Sequence, residues 1–442
     1  MSTRARKKHP QRPRSGPDRG GHENPRRSVD EGVGYEALYR LWEADQWSAC
    51  RIDLSEDAAH WRDKLDDLQR DAALWNYAMF ATACVRISRS LAAQLDAAPG
   101  EPERLFIATQ IADEARHTAF LRRLLSEVVC DHDGHALRAG EDRLTWAFGQ
   151  LCDELTRLGD ALRRRPRDRA LLAQNVALCQ LLIEGMLAIP GQRFFQQYAE
   201  RHSILPGFAT GAGKVARDIA RHVTFGTKLV RELVGDAPDC RAAVLELLNR
   251  AVPWTTGVFI PPHRDRAYVE CFGFSVEQAY AAGLRALEAL LTDVGIAPEE
   301  LKLISRDDRT LSYEDRAARL WDLIECGVLG DDRQEPRLSA RAFSILFDGM
   351  VRSVDVDVLR SLGGALEWAF TDADHWWLSV EGDEVLARRG SVPQPALRLE
   401  ISSSEWAKMV VGRTDSRWAL VTRKLRIHGH LSAKAKLPRL FK

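Results

Sequence analysis

The sequence has no excess of either charge: 63 Lys and Arg balance 63 Asp and Glu over 442 residues. That removes any whole-chain electrostatic argument for binding nucleic acid or an anionic membrane. No apolar run reaches the roughly 18–20 residues that a membrane helix requires, so stable membrane insertion is not expected. The N-terminus has no apolar stretch of the kind a secretory signal carries, which makes a cytoplasmic protein the expectation. The eight cysteines are scattered and form no CxxC pair, and a chain this long needs no disulfide staples. Free thiols in a reducing compartment are the simplest reading. Internal repeats are absent as well.

What is present is ordinary for a globular protein of two or three domains: 45% apolar and 29% charged residues. Residues 1–30 are rich in Arg, Lys, Pro and Gly and read as a disordered basic tail. Residues 31–296 read as a helical domain, with helices expected at 35–45, 56–95 (interrupted near Asp66), 102–130, 142–163, 170–199, 208–235, 238–251 and 275–294. Pro190 and Gly191 are expected to kink the fifth of these. Residues 297–338 read as a linker with a helix at 313–327. The last hundred residues, 339–442, change to an α+β pattern. A helix over 339–362 leads into strands at Ala365–Phe370, Trp376–Val380, Ala396–Ser402 and Arg417–His428, with a short helix from Ser404 and a closing helix Ser432–Phe441. Leu397, Leu399 and Ile401 alternate with Arg398 and Glu400, the period of a half-buried strand.

One constellation carries chemistry. Glu114 and His117 lie three apart in Asp113-Glu-Ala-Arg-His117, a spacing that puts both side chains on one helix face. Glu184 stands in an almost wholly apolar segment, Leu181–Leu187, where a bare carboxylate would cost several kcal/mol and needs a partner or a proton. Asp218-Ile-Ala-Arg-His222 repeats the Arg-His pair on a third helix. Bundles build two-metal sites from one Glu on each of two helices and Glu-x-x-His on each of the other two.

Those residues, with Leu38-Tyr-Arg-Leu-Trp-Glu43, Glu184-Gly-Met-Leu187, Ile204-Leu-Pro-Gly207 and Cys271-Phe-Gly-Phe-Ser275, resemble the small-subunit superfamily of ribonucleotide reductase. The likeness is nearest to the R2-like ligand-binding oxidases. It implies a ferritin-like bundle, iron or manganese as one or two ions, a fatty-acid-like ligand and a homodimer. It also implies Glu114, His117, Glu184 and His222 as metal ligands, with Asp218 orienting a His across the bundle. The chain departs from the pattern twice. The first helix reads Phe80-Ala-Thr-Ala-Cys-Val85 where the family has a Glu, and Cys84 there reads as a small core residue rather than a thiolate ligand. Ile219 occupies a vacated ligand position in the last helix.

The C-terminal stretches Trp376-Trp-Leu-Ser-Val380, Ala396–Ser402, Ser403-Ser-Glu-Trp406, Val411-Gly412 and Lys424-Leu-Arg-Ile-His-Gly429 resemble sterol-carrier-protein-type domains. These imply a curved sheet under helices and an acyl, sterol or isoprenoid ligand. The combined expectation is a ferritin-like helical bundle followed by a small α+β domain. Its function would be a metal-dependent oxidoreductase of the di-metal carboxylate superfamily that acts on a lipid or isoprenoid-like molecule. Two alternatives stay open: a metal-free lipid carrier, and a non-redox isomerase or cyclase that uses the remnant site.

Overall fold

The computed structural model describes residues 33–441, so the expected disordered tail lies outside the described residues. The helical part is built from α1 (Tyr35–Ala44), α2 (Asp67–Ala97), α3 (Glu101–Arg123), α4 (Trp146–Arg164), α5 (Arg169–His202), α6 (Pro206–Asp236), α7 (Pro238–Thr255) and α8 (Val276–Asp293). The break near Asp66 is a capping box. The Asp66 carboxylate accepts from the Gln69 backbone at 2.8 Å, and the Gln69 side chain accepts from the Asp66 backbone at 3.1 Å. Asp57, fully buried, accepts from the backbone N–H groups of Gly207 and Phe208 at 3.0 and 2.6 Å, which caps the start of α6.

The fifth helix changes type along its length. It is α-helical to Val176, π-helical over Ala177–Ala188, and α-helical again from Ile189. The helix runs on through Pro190-Gly191, where a kink was expected, and its winding changes just before them. Proline carries no N–H, so it suits the first turn after a switch from i→i+5 to i→i+4 bonding. This helix is apolar enough to span a membrane, but 83% of its most apolar window is buried inside the structure, so its side chains already have apolar partners.

Residues 297–338, read above as a linker, are a packed connection. Helix α9 (Tyr313–Glu325) buries Trp321 and Ile324 in the same core as Val276 and Tyr280 of α8 and Phe347 of the C-terminal part. Arg316, 4% exposed, bridges Glu288 of α8 and Asp307, each at 2.5 Å.

The C-terminal sheet has the order β3-β2-β1-β4-β5, from Leu366–Phe370 (β1), Trp376–Glu381 (β2), Glu384–Arg389 (β3), Leu397–Ile401 (β4) and Arg426–Gly429 (β5). Strands β1 and β4 are parallel; the other pairs are antiparallel. Three expectations are corrected. The edge strand β3 went unread because none of Glu384–Arg389 is fully buried and the segment carries no alternation; Gly382-Asp383 is its hairpin turn. Arg417–His428 is not one strand: Asp415 caps a helix, Ser416–Val421, and only Arg426–Gly429 pairs. The closing helix is reduced to Leu431–Lys434 and a turn at Leu437–Arg439, cut by Pro438.

Helix α10 (Ala340–Ser353) has two working faces. Phe343 and Phe347 lie on the sheet. Phe347 stacks on Trp376 at 4.6 Å and on Trp406 at 4.8 Å. Trp377, on the opposite side of β2, lies under Arg388 instead. The other face of α10, with Ile345 and Gly349, is turned toward the helical part.

Helices α5 and α6 approach closely at Gly226. A Cβ placed on Gly226 would sit 2.4 Å from Cβ of Gln180, whereas one on Gly235 meets nothing within 4 Å. Gly226→Ala should therefore cost about 1–3 kcal/mol through overpacking, while Gly235→Ala should be neutral or stabilising by up to about 1 kcal/mol. Paired denaturant melts test this; equal midpoints for the two variants would contradict the packing.

Candidate metal centre

Three helices converge on one buried polar group. Asp113, Glu114 and His117 come from α3, Glu184 from the π-turn of α5, and Asp218 and His222 from α6. All six are at most 2% exposed. Residues 113 and 117 are one turn apart, as are 218 and 222, so each helix presents an Asp and a His to its partner.

The arrangement is crossed. His117 Nε2 lies 3.2 Å from Asp218 on the opposite helix, and His222 Nε2 lies 3.1 Å from Asp113. Each Nδ1 faces inward, 3.2 Å from Glu114 for His117 and 2.9 Å from Glu184 for His222. An Asp that accepts from Nε2–H fixes the ring and leaves the Nδ1 lone pair for a ligand in the middle. The outer ring pairs within each helix, three residues apart. Arg116 pairs with Asp113 and Arg221 with Asp218. Trp42 donates to Asp113 and Trp47 to Asp218, each at 2.8 Å. Trp47 also stacks near His117, and Arg116 lies over its ring.

Two atoms at the centre have no hydrogen-bond partner among the described residues: Oε2 of Glu114 and Oε2 of Glu184. A buried, unpartnered carboxylate oxygen is costly unless a cation or a proton meets it. With neutral imidazoles, the four carboxylates and two guanidiniums leave a net charge of about −2. Either two imidazole protons or one divalent ion cancels it. Without an ion the charges settle locally. Burial favours neutral His117 and His222, but Glu114 and Glu184 respectively outweigh it and hold both rings above their ordinary values. Burial, opposed by His222, pushes Glu184 up. For Glu114, burial is outweighed by His117 and the carboxyl is held below its usual value.

Two overlapping groups have ligand atoms within 4.8 Å of one another: Glu114, Glu184 and His222, and Cys84, Glu114 and His117. The structure thus brings the four sequence candidates to one place, with Glu114 common to both groups. Asp218 faces His117. Ile219 is buried on the face of α6 that His222 shares. Sequence reasoning missed Asp113, Trp42 and Trp47. The repeated Asp-x-x-Arg-His string at 113–117 and 218–222 was the signal for Asp113. The tryptophans gave none, because their partners are remote in sequence.

One turn below the carboxylates lies a buried amide ladder. Gln180 donates to Gln94 at 2.9 Å and to Gln110 at 3.1 Å, and Ser90 donates to Asn175 at 2.7 Å. Gln110 and Gln180 precede Glu114 and Glu184 by four residues each, so the ladder sets the rotation of the helices that carry them.

Residues 34–253 match the family described as ribonucleotide reductase, small chain, and residues 352–442 match the SCP-2 sterol transfer family. The chain is thus similar to the small chain over one stretch and to the SCP-2 family over another. Solved structures with the same fold include an R2-like ligand-binding oxidase from Sulfolobus acidocaldarius. That match has 20% identity and a TM-score of 0.52, and covers 64% of this chain and 97% of that one. A variant R2-like ligand-binding oxidase with aerobically reconstituted Mn/Fe cofactor matches at 17% identity and a TM-score of 0.53, covering 62% and 98%. Another, with anaerobically reconstituted Mn/Fe cofactor, matches at 17% and 0.51, covering 60% and 95%.

The site predicts an unusual pH response. Raised imidazole values mean that protonation of His117 and His222 stabilises the metal-free fold below the ordinary value of 6.5, and that this stabilisation is lost as pH rises through the folded-state values. A divalent ion displaces the same protons, so its stabilising effect should grow as pH rises. Thermal melts of the metal-free small-chain-type protein from about pH 6 to about pH 9, with and without Fe(II) or Mn(II), should diverge with pH. Parallel curves would contradict the charge balance described here.

Proposed function

We propose that the chain is a metal-dependent oxidoreductase of the di-metal carboxylate type that acts on a hydrophobic molecule received from the SCP-2-type domain. The donor set fits the metal: two imidazoles with inward Nδ1 atoms and two carboxylates with unpartnered oxygens. Glu114, His117, Glu184 and His222 would hold it. Iron or manganese bound there would supply the redox chemistry with oxygen. The chain's own residues fix both rings through Asp113 and Asp218, balance charge through Arg116 and Arg221, and keep water out through Trp42 and Trp47.

The observation that carries the substrate class is a cavity of about 650 Å³ between the two domains. Phe194, Phe272 and Leu284 line it on the helical side, and Ile345, Leu346 and Met409 on the C-terminal side. Its size suits a small organic ligand. A second, nearly wholly apolar cavity of about 120 Å³ shares Leu187, Gly191, Phe195 and Phe259 with it. This inner cavity reaches Phe80, Ala83 and Ile183, beside Cys84 and Glu184. The Phe80 ring is 6.2 Å from that of His117. An acyl or isoprenoid chain would thread from the outer cavity to the metal. Arg306, in the outer cavity, donates to the Val410 carbonyl but has no ion-pair partner among the described residues, which favours an acidic head group there.

The metal-free carrier remains the competing reading, favoured by Ile219. Elemental analysis of protein expressed with iron and manganese should find about one or more ions per chain, lost in His117→Ala. Oxygen uptake with long-chain fatty acids should follow metal content. Ala83→Phe should fill the inner cavity, keep the metal and cut uptake by about tenfold to a hundredfold. A folded, metal-free protein that still carries lipid would establish the carrier instead.

A further inference from the structure

We propose that Cys84 is a thiolate ligand of the two-ion centre that the di-metal carboxylate reading above implies. Cys84, Glu114 and His117 would form one half, and Glu114, Glu184 and His222 the other. The inference rests on the metal-centre reading above and deepens it.

The first helix of the bundle offers no carboxylate to this site, but it does offer sulfur at the right place. Cys84 is 2% exposed, in the middle of α2, and its Sγ lies within 4.8 Å of ligand atoms of both Glu114 and His117. Buried cysteine usually acts as a small apolar side chain. This one faces a carboxylate and an imidazole. The other buried cysteines of the chain (Cys152, Cys179 and Cys240) belong to neither ligand group, so burial alone does not produce this geometry. Among the described residues Glu114 is common to both groups and has one oxygen without a partner, as a bridging carboxylate requires.

Charge points the same way. Two ions bring about four positive charges into a site whose own excess is about −2 with Cys84 neutral. A thiolate removes one unit of that mismatch and replaces part of what Ile219 and the missing first-helix Glu take away. The step is acid–base only. The S–H bond breaks, a metal–sulfur bond forms, the proton leaves to solvent, and no electron is transferred. Sulfur with one nitrogen and one oxygen donor favours Zn(II), Co(II) or Fe(II), and three protein ligands leave a position open for substrate or water. The Glu184 half, without sulfur, suits iron or manganese. The two halves therefore differ in ion preference.

Cobalt(II) titration of the metal-free, full-length protein tests this, read by absorption and by X-ray absorption fine structure. The expected result is two cobalt ions per chain, a thiolate-to-cobalt charge-transfer band in the near ultraviolet, and a sulfur scatterer at about 2.3 Å. Cys84→Ser should lose the band and one ion, while Cys179→Ser should keep both. Bound cobalt with no sulfur scatterer in the wild-type protein would overturn the thiolate and leave the metal centre standing, whether or not Cys84→Ser folds. A band that persists in Cys84→Ser would do the same. No cobalt bound at all would overturn both.

Discussion

The structure turns on a charge problem in the middle of the bundle. Asp113, Glu114, Glu184 and Asp218 are all but sealed from water, yet among the described residues only two guanidiniums reach them, and those touch the outer pair. Four buried carboxylates held by two arginines cannot persist without further positive charge. Two protons on His117 and His222 are one solution, and a divalent ion is the other. Everything around the site serves that choice. The crossed Asp–His bonds fix which imidazole nitrogen faces inward, and the tryptophans hold the aspartates that fix the imidazoles.

The same constraint gives meaning to the irregular backbone. Glu184 reaches the centre from a π-helical stretch, and the amide ladder through Gln94, Gln110 and Gln180 lies one turn beneath. Wide winding shifts the side-chain register relative to a regular α-helix and is often found at functional sites. Gly226 lets Gln180 approach α6 closely enough for the ladder to form. Packing below the site and chemistry within it are therefore coupled. Outside the site, the C-terminal domain is more than an appended module. Helix α10 stacks its aromatic face on the sheet and turns its other face toward the cavity shared with the bundle.

Much of this was legible in the sequence, for identifiable reasons. Helices with apolar periodicity and clear caps, such as those following Asp66, Gly100 and Ser275, were found to within a few residues. Glu114, His117, Glu184 and His222 stood out because charged groups at helical spacing in apolar surroundings demand an explanation. Tertiary context hid the rest. The pairing of Trp42 with Asp113 and of Trp47 with Asp218 joins residues about 70 and 170 positions apart. Cys84 looks like any core cysteine until the fold places it beside Glu114. Strand β3 is an edge with no alternation to read, and Ser416–Val421 carries β-compatible residues that the Asp415 cap turns into a helix.

The account stands on the claim that the carboxylate–imidazole group exists to hold metal. Anomalous diffraction from crystals of the iron-loaded protein, collected on both sides of the iron edge, tests it most directly. The account predicts a strong iron peak in the space bounded by Glu114, Glu184 and His222, with both imidazole Nδ1 atoms turned away from their carboxylates and toward metal. An empty centre in iron-saturated crystals, with His117 and His222 still bonded to Glu114 and Glu184, would contradict it.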